Sequence, residues 1–128
     1  MANTAKQKKK REVKIDRAKI YIKSSFNNTL ISATDMNGNV FAWGSTGSVG
    51  FKGTKKSTPY AATQTARTVI DKLRVAQVQE IEIYVAGVST GRDAALRAFG
   101  AAQIKITRIK DTTPVPHNGC RAKKPRRV

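Results

Sequence analysis

Several short stretches carry residue types that could do chemistry. Gly87-Val88-Ser89-Thr90-Gly91 has the spacing of a nucleophile elbow, with an alternating apolar run before it and a helical period after it. Acyl transfer from such a serine needs a histidine base and an orienting carboxylate. The single histidine, His117, lies far along in a basic tail. The plainer expectation is a helix N-terminus capped by Ser89 or Thr90, whose free N–H groups with Arg92 beside them would also suit a phosphate. His117-Asn118-Gly119-Cys120 offers two metal-ligand types three residues apart, which is half a zinc site with no second half in view. No metal and no cofactor is expected. Cys120 stands among Arg121, Lys123 and Lys124, a setting that lowers a thiol pKa if exposed. In Asn118-Gly119 the missing side chain lets the next backbone nitrogen attack the asparagine amide, which leads through a succinimide to isoaspartate. Asn37-Gly38 shares the dipeptide, but a hairpin should protect it. Of the acids between residues 24 and 111, Glu80 and Glu82 share one face of an alternating segment, and no pair has the setting of a nuclease metal site.

Basic charge is the strongest signal. The 128 residues hold 25 Lys plus Arg against 8 Asp plus Glu, a formal net charge of +17. Residues 1–23 carry a net +7 and residues 112–128 a net +5, so over two thirds of the excess sits at the ends. Both ends are poor in large apolar residues and cannot offset their chain entropy alone. They read as arms that order on a phosphate backbone, at residues 1–17 and 112–128, flanking a core domain at 18–111. No apolar run approaches the ~18–20 residues of a membrane span. The basic start lacks the apolar stretch of a signal peptide. One cysteine makes no internal disulfide, so a reducing compartment is expected. A polyanion is the expected partner, with no membrane and no small-molecule substrate.

The elements that must position these residues follow from periodicity. Residues 18–24 alternate as a half-buried strand, and Ser25-Phe26-Asn27-Asn28 has turn chemistry. Thr29–Thr34 and Asn39–Gly44 are two more strands, joined by a hairpin at Asn37-Gly38. Glycines then recur at 44, 47, 50 and 53, giving a backbone able to approach another surface, with Lys52, Lys55 and Lys56 at its far end. Thr58 as cap and Pro59 at the first helical position open an amphipathic helix to about Ala76. A strand at 80–85, a helix from Asp93 to Ala102 and a strand from Gln103 to Lys110 complete the order βββαβαβ. Phe41, Trp43 and Phe99 are expected in the core. Phe26 and Phe51, in loops beside Asn or Lys, either stack on unpaired bases or are plain loop residues. The fold class is α/β: a mixed five-stranded sheet covered by two helices, its crossovers compatible with a parallel part.

Ser25-Phe26-Asn27-Asn28-Thr29, Gly50-Phe51-Lys52-Gly53 running on to Lys56-Ser57-Thr58-Pro59, Gly91-Arg92, and Pro114-Val115-Pro116-His117-Asn118-Gly119-Cys120-Arg121 together closely resemble the bacterial small-subunit ribosomal protein eleven family. The likeness runs from about Ala18 to the C-terminus. The first 17 residues match only in being basic. The family usually has a Gly-Pro-Gly-rich turn where this chain has Gly87-Val88-Ser89-Thr90, without the proline. The resemblance implies a ribonuclease-H-like sheet, no catalysis, and a cytoplasmic place in the ribosome. It implies a site on the small-subunit platform that bridges ribosomal RNA helices and borders the messenger RNA cleft. Small-subunit proteins seven and eighteen would be neighbours, with initiation factor three nearby. It also implies a possible isoaspartate at Asn118. From charge, the candidate RNA-binding residues are Lys8, Lys9, Lys10 and Arg11, then Lys52, Lys55 and Lys56, then Lys123, Lys124, Arg126 and Arg127. The segments that carry the resemblance add Phe26, Asn27, Asn28, Gly50, Phe51, Gly53, Ser57, Arg92, His117, Asn118, Gly119 and Arg121. The rivals are a nuclease on the same fold and a free-standing nucleic-acid chaperone.

Overall fold

The computed structural model describes residues 14–125. Strands β1 (Arg17–Ser24), β2 (Thr29–Thr34) and β3 (Val40–Ser45) are followed by a 3-10 helix at Gly53–Ser57. Helix α1 (Pro59–Val75), strand β4 (Glu80–Ala86), helix α2 (Thr90–Ala101) and strand β5 (Lys105–Asp111) complete the order βββαβαβ. The sheet runs β3-β2-β1-β4-β5. The first three strands form an antiparallel meander, while β4 joins β1 and β5 joins β4 in parallel. A parallel neighbour requires a crossover, and α1 and α2 supply the two. The result is the ribonuclease-H-like mixed sheet.

Among the described residues, only one face of this sheet is covered. Ala18, Ile20 and Ile22 of β1, Ile31 and Ala33 of β2, Ala42 of β3, and Ile81, Ile83 and Val85 of β4 are buried. They meet Ala66, Val69, Ile70 and Leu73 of α1 and Ala95 and Phe99 of α2. Each fully buried Ile, Leu or Phe contributes roughly 1.5–3 kcal/mol. Small residues set the spacing: a methyl group added at Gly44 would stand 3.2 Å from Val69 Cγ2. The opposite face carries the other half of each alternation, namely Lys19, Tyr21 and Lys23 of β1, and Glu80, Glu82 and Tyr84 of β4.

Trp43 corrects an expectation. It is 57% exposed rather than in the core. Ala42 and Gly44 take the inward positions of β3, and the register sets Trp43 beside Ser32 on the uncovered side. Phe41 is half-buried against the core, and Phe99 is fully buried. Helix α2 begins at Thr90, three residues before Asp93, because Ser89 takes the cap position. Strand β5 begins at Lys105, not Gln103, whose φ of 60° ends the preceding helix in a left-handed turn. Ordered packing also reaches ahead of residue 18. Ile15 lies in the core cluster, and its N–H donates to the Ala76 carbonyl at 3.1 Å.

Candidate nucleic-acid interface

The parallel strands β1, β4 and β5 end together at Ser24, Ala86 and Asp111. Strand β2 starts, and β3 finishes, at this same end, where Leu30 pairs with Ser45. Four segments therefore meet here: the loop at 25–28, the glycine-rich run with its 3-10 helix, the turn at 87–89, and the start of the C-terminal tail. In sheets of this kind the carboxyl end of the strands is where ligands bind, beside the helix N-termini. The caps of α1 and α2 lie here as well. Thr58 Oγ1 accepts from the Ala61 N–H at 3.2 Å, and Ser89 Oγ from the Gly91 N–H at 3.3 Å.

Side chains cross-link the segments. Asn28 Oδ1 accepts from the Thr29 N–H at 2.8 Å and also bonds the Thr46 hydroxyl, tying the first loop to the glycine-rich run. The Ser24 and Ser89 hydroxyls are hydrogen-bonded. Thr90 Oγ1 donates to the Ser57 carbonyl at 3.1 Å. Within the glycine-rich run, the Phe51 N–H reaches the Thr46 carbonyl at 3.1 Å and the Gly50 N–H the Gly47 carbonyl at 3.2 Å. Gly50 (φ 109°) and Gly53 (φ 61°) sit in left-handed conformations that side chains avoid, with open space around both.

Arg92 holds this end together from within. Its Nη1 donates to the Gly87 carbonyl at 3.1 Å and its Nη2 to Asp111 Oδ2 at 2.9 Å, with its side chain 25% exposed. Asp111 Oδ1 accepts from the Thr113 hydroxyl at 2.6 Å and the Thr113 N–H at 2.9 Å. The Thr113 side chain and backbone, then Arg92, hold the Asp111 carboxyl down to about 2. Thr113 Oγ1 in turn accepts from the Gly87 N–H at 3.1 Å, so one clasp joins β5, the tail and the turn before α2.

The expected site residues thus separate into groups. Phe26 is 80% exposed at the loop tip, with Asn27 exposed beside it. Lys52 and Lys55 are exposed, and Lys56 is half-buried. Phe51 is half-buried, its ring edge-on to Tyr60 with centroids 5.9 Å apart. Asn28, Ser57 and Arg92 use polar groups to position the loops. His117, Asn118, Gly119, Arg121, Lys123 and Lys124 lie exposed along a tail without regular structure. Asn118 has a φ of 53°, and no atom lies within 4 Å of where a Gly119 side chain would begin. Lys8, Lys9, Lys10, Arg11, Arg126 and Arg127 lie outside the described residues. Ser89 of the elbow motif spends its hydroxyl on Ser24 and the Gly91 N–H. The Asp111–Thr113 clasp was missed by sequence reasoning. Its one local signal was an Asp two residues before a Thr, an Asx-turn pattern.

Known proteins match this chain in sequence. A family model described as ribosomal protein S11 matches residues 18–127. The small ribosomal subunit protein uS11 of Aquifex aeolicus is 49% identical over 124 residues, which cover 97% of this chain and 99% of that protein. The protein of the same name from Borreliella burgdorferi is 46% identical over 121 residues, 94% of this chain and 93% of that one.

Proposed function

Because the chain belongs to the ribosomal protein S11 family, we propose that the loop-bearing end of its sheet docks on small-subunit ribosomal RNA. As a member of that family it is a structural, non-catalytic constituent of the small ribosomal subunit, in the cytoplasmic ribosome. On our reading it sits on the platform, bridges RNA helices there, and borders the cleft where messenger RNA pairs upstream of the start codon. Small-subunit proteins seven and eighteen are its neighbours, with initiation factor three nearby.

One observation carries the reading: separate segments with an excess of cations that hold no ion pair among the described residues converge at the carboxyl end of the strands. Lys52 and Lys55 stand exposed there, and the tail with Arg121, Lys123 and Lys124 leaves from Asp111. Contacts of this kind fall mainly on phosphate and sugar, so they position the protein. The basic arms, up to Lys14 and from Pro114 on, thread between RNA helices that would otherwise repel each other. Phe26 stacks on an unpaired base, and RNA shape supplies specificity. The exposed Asn118-Gly119 bond, free of side-chain bulk, is where isoaspartate forms.

A salt titration against a platform RNA fragment, beside a scrambled RNA of equal length, tests this. With ~6–10 phosphate contacts, affinity falls ~10³–10⁵-fold between about 50 and 200 mM salt. The platform fragment should stay the tighter ligand throughout. Replacing Lys52, Lys55 and Lys56 together by Ala should flatten the logarithmic salt slope by roughly 2–3. Convergence of the two RNAs, or an unchanged slope, would remove this end of the sheet from a specific interface.

A further inference from the structure

The uncovered face of the sheet holds a row of aromatic rings. Register aligns Trp43 of β3, Ser32 of β2, Tyr21 of β1, Tyr84 of β4 and Lys110 of β5 across all five strands. Tyr21 and Tyr84 are stacked, with centroids 5.3 Å apart and planes 17° from parallel. Rings on neighbouring strands can stack this way only by standing up from the sheet. The far side of Tyr21 then looks across the small Ser32 toward Trp43. Their backbones are two strand spacings apart, about 10 Å. Tyr21 is 41% exposed and Trp43 57%.

Charge surrounds this row. Arg17, Lys19, Lys23, Lys105, Arg108 and Lys110 belong to the same face, against Glu80 and Glu82. Glu80 is held by Arg17 at 3.1 Å and Lys105 at 3.6 Å, while Glu82 accepts from the Tyr84 hydroxyl at 3.0 Å. Lys19, Lys23, Arg108 and Lys110 hold no ion pair among the described residues. A face that offers open ring surfaces inside a cationic rim matches one ligand chemistry, unpaired bases on a phosphate strand. Duplex RNA would meet the rim but hide its bases from the rings.

We propose that this face is a second RNA surface, on which an unpaired segment stacks a base over Ser32 between Tyr21 and Trp43. The proposal rests on the RNA-binding reading above and extends it to a face that none of the loop segments occupies. Lys19 and Arg108 on one side of the row, Lys23 on the other and Lys110 at its end hold the strand's phosphates.

Trp43 is the only tryptophan in the chain, so its emission reports on this face alone. A short oligouridylate, labelled at one end, is titrated into the full-length protein. Label anisotropy follows binding anywhere, and tryptophan emission follows the sheet. We expect saturable quenching of Trp43 with the anisotropy midpoint. Tyr21→Ala should shift that midpoint about five- to hundredfold, the range for losing one base–ring stack, while Tyr21→Phe holds it. Quenching should survive Lys52→Ala, Lys55→Ala and Lys56→Ala combined. Rising anisotropy with unchanged Trp43 emission would overturn the proposal and leave the loop-end reading standing. Quenching that ignores Tyr21→Ala, or that vanishes with the three lysines, would overturn it too.

Discussion

The two ends of the sheet are built in different ways. At the end where β2 passes into β3, the hairpin turns on local bonds, and the links between distant segments, such as Ile15 N–H to Ala76 and Gln79 N–H to Asp16, run through the backbone. Asp35 accepts from the Asn37 and Asn39 N–H groups, both at 2.9 Å, and these bonds, that from Asn39 first, lower its pKa. The turns after α1 and α2 at this end are also short, each marked by one left-handed residue, Gln77 or Gln103. At the opposite end nearly every loop is tied to a loop distant in sequence, through Asn28–Thr46, Ser24–Ser89, Thr90–Ser57 and Arg92–Asp111. A turn that satisfies itself only has to reverse the chain. Loops that satisfy one another hold a shared surface, which is what an extended RNA partner needs.

The sharpest way to break this contrast is a pair of glycine substitutions, one at each end. Both Gly87 (φ 92°) and Gly38 (φ 95°) are left-handed. A methyl group at Gly87 would also run into the Ser24 carbonyl oxygen. Gly87→Ala should cost about 2–5 kcal/mol by chemical denaturation and weaken RNA binding with it. At Gly38 nothing lies within 4 Å of an added methyl. Gly38→Ala should cost only about 1–2 kcal/mol, with RNA affinity unchanged once the protein is folded. Equal costs at the two positions would erase the distinction.

The clasp gives a smaller, pH-dependent effect. The Asp111 carboxyl falls from 3.8 to about 2 on folding, so it binds its proton less readily in the folded chain. Its stabilisation is therefore fully present above pH 3.8 and is lost as pH falls through about 2. Asp111→Asn should lower the melting temperature at neutral pH, and its gap to the parent should close over that acid window. A gap that persists at the lowest pH would mean that the carboxyl charge is not what holds the clasp. The smallest effect is expected at Thr29. Its buried hydroxyl has no hydrogen-bond partner among the described residues, at the spot where a methyl on Gly91 would come within 2.5 Å. Thr29→Val should be neutral or stabilising by up to ~1 kcal/mol in the same denaturation assay.

Much of this architecture was legible in the residues. Alternation located the strands, Thr58-Pro59 the start of α1, and Asn37-Gly38 the hairpin, because these signals are local. What escaped depended on partners far along the chain. Trp43 looked like core by type, yet which face of β3 is buried follows from the register with β2 and from Val69 closing over Gly44. Arg92 read as a phosphate ligand, and its bond to Asp111 exists only because β5 ends beside the start of α2. The 3-10 helix at Gly53–Ser57 lay hidden in a run whose glycines suggested loop. At the interface the sequence marked which segments gather, while the fold decides which of their side chains face outward and which hold the others.

The central strand sets an order of assembly. Ile20 of β1 pairs with Ala33 on one side and with Ile83 on the other. The first pairing closes a short loop and needs nothing beyond Ser45. The second waits for β4, and closing the longer loop costs more chain entropy. Loop closure therefore favours the meander as the earlier pairing during synthesis, with one side of β1 still unpaired. That open strand edge is a template for wrong pairing, and arrival of β4 closes it.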